Sequence, residues 1–248
     1  MSPQTTNNKK QRGVIMPKKD IIKASDYCGY ELAQKDQFYS QKYLDKTIAM
    51  VNSMTERHSK VLQVRMDLKY PKEITSDGSN KDFQRTMENL MKELSRKGYD
   101  PQFIARREQR ESKNPHYHLV IQVDGNKKRD RTSLIESAEH HWSQTLGLTQ
   151  QEVHENRLVF PCNYNPQNEP LPNGYMLNRN AVDFQDRKNE AVRQLSYLAK
   201  KEPEDITESH TRKFFSSQFQ KDYATAKEKK RKWMERHYGE NDSPCEFK

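Results

Sequence analysis

His116 and His118 stand two residues apart at the head of the run His116-Tyr117-His118-Leu119-Val120-Ile121-Gln122-Val123, which reads as a strand. Side chains at i and i+2 lie on one face of a strand, so both imidazoles can reach a single cation. A third ligand is expected from the neighbouring strand. If residues 103–109 form that strand, a hairpin centred on Ser112 sets Glu108 opposite His116. Opposed residues of an antiparallel pair have Cβ atoms about 5 Å apart. The outcome is a His-His-carboxylate group on one sheet face, with coordination positions left for a substrate. Glu111 is closer to His116 in sequence but falls at the hairpin tip, so it ranks below Glu108. A lone His-x-His is common by chance. Here the apolar run around the histidines and the carboxylate at hairpin spacing set the pattern apart.

A second group could use such a cation. Tyr197 and Lys200 lie in Ser196-Tyr197-Leu198-Ala199-Lys200-Lys201, within a helix expected from about Phe184 to Lys201. Positions three apart share a helical face, so the two side chains should project together. A phenol with a pKa near 10 is a poor nucleophile at neutral pH. A nearby ammonium or a metal-bound phosphate favours the phenolate and its attack on phosphorus. Alone, Tyr-x-x-Lys reads as a core tyrosine beside Leu195 and Leu198 with a solvated lysine. Joined to the histidine pair, it reads as chemistry.

Glu108, then His116-Tyr117-His118 eight residues on, then Tyr197-Leu198-Ala199-Lys200, together resemble the HUH endonuclease superfamily of replication initiators and relaxases. The wider layout is most similar to the inovirus gene-II-type replication proteins and their prophage-borne YagK/YfjJ-like relatives. That layout includes Val61 to Leu68 as the first strand and an Asn/Pro-rich stretch before the tyrosine helix, and the resemblance covers roughly residues 60 to 201. It implies that Glu108, His116 and His118 hold a divalent cation, Mg²⁺ or Mn²⁺. It also implies that Tyr197 attacks a DNA phosphate, leaving a 5′-phosphotyrosine and a free 3′-OH, with Lys200 stabilising the phenolate or the phosphate. The implied activity is a site-specific nicking and joining of single-stranded or supercoiled origin DNA that starts rolling-circle replication of a phage or mobile element. Arg193, Gln194 and Lys201 occupy the neighbouring helical positions, so a single tyrosine is expected. A relaxase- or transposase-like enzyme would use the same chemistry. A DNA-binding regulator with a vestigial metal site is a third reading, against which the intact residues weigh.

These residues need elements to place them. The pattern predicts a helix from Asp36 to Arg57 with Phe38, Leu44, Ile48 and Val51 inward, and a strand over 60–70. A helix from Asp82 to Lys97 carries Phe83, Met87, Leu90, Met91 and Leu94 at helical spacing and stops at Gly98. The hairpin Pro101 to Gln109 and His116 to Val123 follows, then a helix from about Arg131 to Leu146, a short strand from Arg157 to Phe160, and a long loop from Pro161 to Asn180. This order suggests an α+β fold: a central antiparallel sheet with helices packed on it, on one side as in the superfamily's palm. Three parts are expected: a basic, partly flexible segment 1–58 with one helix, a nuclease domain 59–201, and a basic helical tail 202–248.

Composition agrees with a polyanionic partner. The formal net charge is +9, which favours association with phosphate backbones. Lys9, Lys10, Arg12, Lys18, Lys19 and Lys23 crowd the first residues, and Lys227 to Arg236 forms a second basic run. Trp233 and Tyr238 offer faces for base stacking, and Arg179 and Tyr175 are candidate DNA contacts. Cys28, Cys162 and Cys245 form no Cys-x-x-Cys pair, and no run approaches a membrane span. A cytoplasmic protein without a membrane partner is the expectation. No Gly-x-x-x-x-Gly-Lys-Ser/Thr occurs, so unwinding should fall to a host helicase.

Overall fold

The computed structural model describes residues 20–109, 112–162, 173–201 and 211–217. The chain opens with four short strands, β1 (Ile21–Ala24), β2 (Asp26–Tyr27), β3 (Tyr30–Glu31) and β4 (Gln37–Ser40). Next come helix α1 (Gln41–Arg57), strand β5 (Lys60–Leu68), helix α2 (Lys81–Arg96), and the hairpin strands β6 (Gln102–Glu108) and β7 (His116–Asp124). Helices α3 (Thr132–Leu146) and α4 (Gln150–Glu155) lead to β8 (Val159–Pro161) and β9 (Tyr175–Asn178). Helix α5 (Phe184–Ser196) and strand β10 (Phe214–Ser216) complete the described elements.

The main sheet runs β10-β6-β7-β5-β8, with β9 also paired to β5, and every pairing in it is antiparallel. The α+β reading holds, but helices cover both faces rather than one. On β5 the even positions Leu62, Val64, Met66 and Leu68 join Tyr117, Leu119 and Ile121 in a core with Phe83 and Leu90 of α2 and Trp142 of α3. The odd position Val61 and β7's Val120 join a second core with Met50, Val51 and Met54 of α1 and Val192 and Leu195 of α5. Alternation is the cause, since successive strand side chains point to opposite faces. A central strand buried on both sides reads as a near-continuous apolar run, as β7 does.

Local signals explain the helices that the periodicity marks. α2 ends in a Schellman turn: Gly98 sits at φ +72°, its N–H donates to Ser95, and the Tyr99 N–H donates to the Leu94 carbonyl at 3.0 Å. α4 starts with a capping box between Thr149 and Glu152.

Elsewhere the structure departs from expectation. The first helix starts at Gln41, because residues 37–40 pair with β1; Phe38 is therefore 42% exposed instead of inward. Residues 21–24 are ordered as β1, and the stretch Pro161 to Asn180 contains β9. The sheet and its cores also draw on residues outside 59–201: α1 lies in the second core and β10 pairs with β6. Cys162 is free and buried, while Cys28 is disulfide-bonded. Among the described residues no helix is long and apolar enough to cross a membrane. Lys9, Lys10, Arg12, Lys18, Lys19, the basic run 227–236, Trp233, Tyr238 and Cys245 lie outside the described residues.

The outer edge of β5 is shared. β9 pairs with residues 60–63 and β8 with 66–68. Between them the Asn173 side chain plays the part of a strand: its Oδ1 accepts the Arg65 N–H at 2.9 Å and its Nδ2 donates to the Arg65 carbonyl at 2.7 Å. Asn173→Ala leaves both backbone groups of Arg65 unpaired. It should lower unfolding free energy by about 1–3 kcal/mol, read as a lower urea midpoint at unchanged m-value.

Candidate metal and tyrosine site

The face of the sheet that carries α1 and α5 is apolar over most of its area and polar at one end. The polar end follows from register. Glu108 pairs with His116, Arg106 with His118, and His118 in turn with Asp67. Opposed residues share a face, so three strands deliver Asp67, Arg106, Glu108, His116 and His118 to one place. Arg65, two residues before Asp67, joins them from β5.

The three ligands expected from the hairpin converge. His116 Nε2 and His118 Nε2 lie 3.2 Å apart, and Glu108 Oε2 is 3.5 and 3.3 Å from them. One ligand atom from each residue falls within 4.8 Å of the others, so the group could hold a metal ion. The chemistry of the set fits a divalent cation. His118 Nδ1 lies 2.7 Å from Asp67 Oδ1, a contact that with the proton on Nδ1 would leave the Nε2 lone pair to a cation. Glu108 Oε1 is buried without a hydrogen-bond partner, 3.7 Å from Arg106 Nε. Imidazole and carboxylate suit Mg²⁺, Mn²⁺ and Zn²⁺ alike, so the donors alone do not choose. Glu108 and His118 side chains are 9% and 8% exposed and His116 is 30% exposed, which marks the His116 side as the open one. Glu111 lies outside the described residues.

Electrostatics bind this group together. Burial works against charge on Glu108, but hydrogen bonds from His116 and His118 outweigh it and hold the carboxyl far below the usual range. Asp67 behaves likewise: desolvation raises it, and the His118 contact brings it down overall. His118 is the counterpart. Burial disfavours its imidazolium, yet Asp67 and Glu108 raise its pKa.

Tyr197 reaches the cluster from the end of α5. Its ring stands edge-on to His118, with centroids 5.5 Å apart. The expected helix does not continue to Lys201. α5 stops at Ser196, residues 197–199 form a 3-10 turn, and Lys200 is extended. The cause is a set of backbone ties. The Lys200 carbonyl accepts a hydrogen bond from Arg106 Nη1, Lys200 bridges to Tyr39, and the Lys201 N–H donates to the Phe38 carbonyl at 2.6 Å. Ser196 Oγ accepts the Ala33 N–H at 2.8 Å, so the N-terminal strands hold this turn. Tyr197 and Lys200 therefore do not share a regular helical face. The Arg65 guanidinium instead sits 5.0 Å from the Tyr197 ring centroid. Burial raises the Tyr197 pKa, and Glu108 adds to it, while Arg65 and Arg106 pull the other way.

Sequence reasoning undervalued Asp67, Arg65 and Arg106. Arg65 and Asp67 alternate with the apolar positions of β5, and Arg106 stands two residues before Glu108. Those spacings put each on the ligand face. Two candidate DNA contacts have internal partners. Arg179 Nη1 donates to the Thr55 and Glu56 carbonyls at the end of α1, and the Tyr175 hydroxyl donates to Glu190. His141 reaches Glu93 of α2 at 2.6 Å, so it joins two helices and is not a surface residue.

A family model described as the YagK/YfjJ C-terminal domain matches residues 22–217. No curated protein matches the chain. A solved structure similar to it is the minute virus of mice non-structural protein-1 N-terminal nuclease domain, described as having a unique Zn²⁺ coordination in its active-site pocket and a novel mode of DNA recognition at the origin of replication. Identity is 14%, the match covers 54% of this chain and 79% of that one, and the TM-score is 0.33. A likeness at that level carries no argument about function.

The Asp67 contact has a measurable consequence. Asp67→Ala should weaken Mn²⁺ binding by about 10–100-fold in calorimetric titration. Asp67→Asn, which keeps an acceptor for His118 Nδ1–H but not the charge, should fall between it and the parent protein.

Proposed function

The chain belongs to the YagK/YfjJ C-terminal domain family, and on that premise we propose that it is a metal-dependent endonuclease that nicks and rejoins single-stranded DNA through a tyrosine. The observation that carries this reading is the convergence of Glu108, His116 and His118 within 4.8 Å, with the Tyr197 ring 5.5 Å from His118.

In this reading Glu108, His116 and His118 hold the divalent cation, Mg²⁺ or Mn²⁺. When bound, the cation supplies Lewis acidity to the scissile phosphate and offsets the Glu108 charge that keeps the phenol protonated. Asp67 fixes the His118 ring. The Tyr197 oxygen attacks phosphorus in line, the bond to the 3′-oxygen breaks, and the phenol proton is lost as the departing oxygen takes one up. The products are a 5′-phosphotyrosine and a free 3′-OH that can prime synthesis. Because the ester conserves the energy of the broken bond, attack by a later 3′-OH reseals the strand and releases Tyr197. Arg65, beside the tyrosine ring, and Arg106 stabilise charge on the phenolate and the phosphate, and Lys200 adds charge at the same turn. The role follows as initiation of rolling-circle replication of a phage or mobile element, with a host helicase to unwind the nicked duplex. Residues 59–201 carry the chemistry, supported by α1 and β10.

Incubating the protein with supercoiled DNA carrying its own locus and Mg²⁺ or Mn²⁺ should give nicked circles and a protein–DNA adduct, and chelation should prevent both. Tyr197→Phe should abolish nick and adduct; normal nicking by that variant would falsify the assignment of the nucleophile. His118→Ala should lose metal binding and cleavage while keeping salt-sensitive DNA affinity. Arg65→Ala should lower the cleavage rate by about 10²–10³-fold in single-turnover assays.

A further inference from the structure

Next to the candidate site, on the same face of the sheet, basic and aromatic side chains are built into one surface. Register lines up Phe214, Arg106, His118 and Asp67 across β10, β6, β7 and β5. With strands about 4.8 Å apart, Phe214 lies roughly 10 Å from His118. The Phe214 ring stacks on Tyr43 of α1, with centroids 4.0 Å apart and planes 8° from parallel. Each ring of the stack carries a lysine. Lys46 Nζ is 5.8 Å from the Phe214 centroid, and Lys201 Nζ is 4.8 Å from that of Tyr43.

More positive charge surrounds them. Lys42 lies one helical turn before Lys46; Arg212, at 4.8 Å over the Phe215 ring, is turned to the α2 side of the edge strand. Burial and then the charges of Lys42 and Arg212 hold the Lys46 pKa below its ordinary value, so the cations are within mutual reach. Asp45, on the same turn of α1, accepts a hydrogen bond from the Tyr27 hydroxyl at 2.9 Å. Phe214 is only 4% exposed, so the stacked rings serve to aim the ammonium groups rather than to receive a base. Phe38 is different: it is 42% exposed, and its carbonyl accepts the Lys201 N–H. An open aromatic face therefore lies beside a lysine four residues beyond Tyr197.

We propose that Lys42, Lys46 and Lys201, with Phe38, form the track that carries a single-stranded DNA segment into the tyrosine site. Backbone phosphates lie on the three lysines and a base stacks on Phe38. The track depends on the nicking reading for the fate of the strand, not for its binding. Charge along a backbone combined with a stacking platform is how sequence-tolerant single-strand binding works. It also gives α1 and β10 a function: they hold the strand while the central hairpin cuts it.

The test is fluorescence anisotropy of a labelled oligothymidylate with the full chain, in chelator, over a salt series. Combined Lys42→Ala, Lys46→Ala and Lys201→Ala should weaken binding more than about ten-fold and make the plot of log Kd against log salt shallower by about 0.7 per lost phosphate contact. Phe38→Ala should weaken binding about five-fold or more at unchanged slope. Lys46→Arg should bind as the parent does, which separates lost charge from lost fold. Lys92→Ala, whose lysine pairs with Glu88 on α2 across the sheet, should change nothing. Parental affinity and slope in the triple variant would overturn the track, as would tighter binding of a duplex of equal length. If Tyr197→Phe still nicks while the triple variant loses strand binding, the nicking reading falls and the track stands. If cleavage is tyrosine-dependent and the triple variant binds normally, only the track falls.

Discussion

The structure depends on the register of β6, β7 and β5. A strand's side chains alternate with a period of two, so a slip of one residue would turn His116, His118, Glu108 and Arg106 into the core beneath α2 and α3. The same slip would expose Tyr117, Leu119 and Ile121. Burial of those residues against Phe83, Leu90 and Trp142 therefore fixes the register, and the ionisable groups on the opposite face inherit their positions from it. The site is specified by the hydrophobic pattern of the face it is not on.

That dependence explains what was legible in the chain. The apolar alternation of β5 and β7 and the helical spacing in α2 are signals of tertiary burial, and the hairpin count from Glu108 to His116 follows from them. What the sequence concealed depends on contacts between distant segments. β1 and β4 pair across an irregular stretch, β10 joins β6 from more than a hundred residues away, and β9 is marked by little beyond Tyr175, Met176 and Leu177. The end of α5 was misread for a related reason. Nothing local in Tyr197-Leu198-Ala199-Lys200 stops a helix; Arg106, Tyr39 and Phe38 do, by taking up the backbone groups of residues 200 and 201. Moving Lys200 off the helical face shifts attention to Arg65, which β5 already placed beside the ring.

The buried charges form a graded arrangement. Asp67 and Glu108 flank His118, Arg106 borders Glu108, and Arg65 borders Tyr197. Each carboxylate is stabilised by its neighbours, but the negative charge of Glu108 opposes ionisation of the tyrosine. Burial acts in the same direction and more strongly, so both raise the Tyr197 pKa.

The divided edge of β5 bears on how such a protein can change. Asn173 pins the chain to Arg65 on one side of the gap, and β8 pins it on the other. The sheet is therefore complete whatever the intervening stretch contains. Closing a longer loop between two fixed points costs an entropy that grows only with the logarithm of its length. Insertions between residues 162 and 173 therefore leave the pairing of β5 with β8, β9 and Asn173 in place. This edge of the sheet is where the chain can take up changes in length without moving the strands that carry Glu108, His116 and His118.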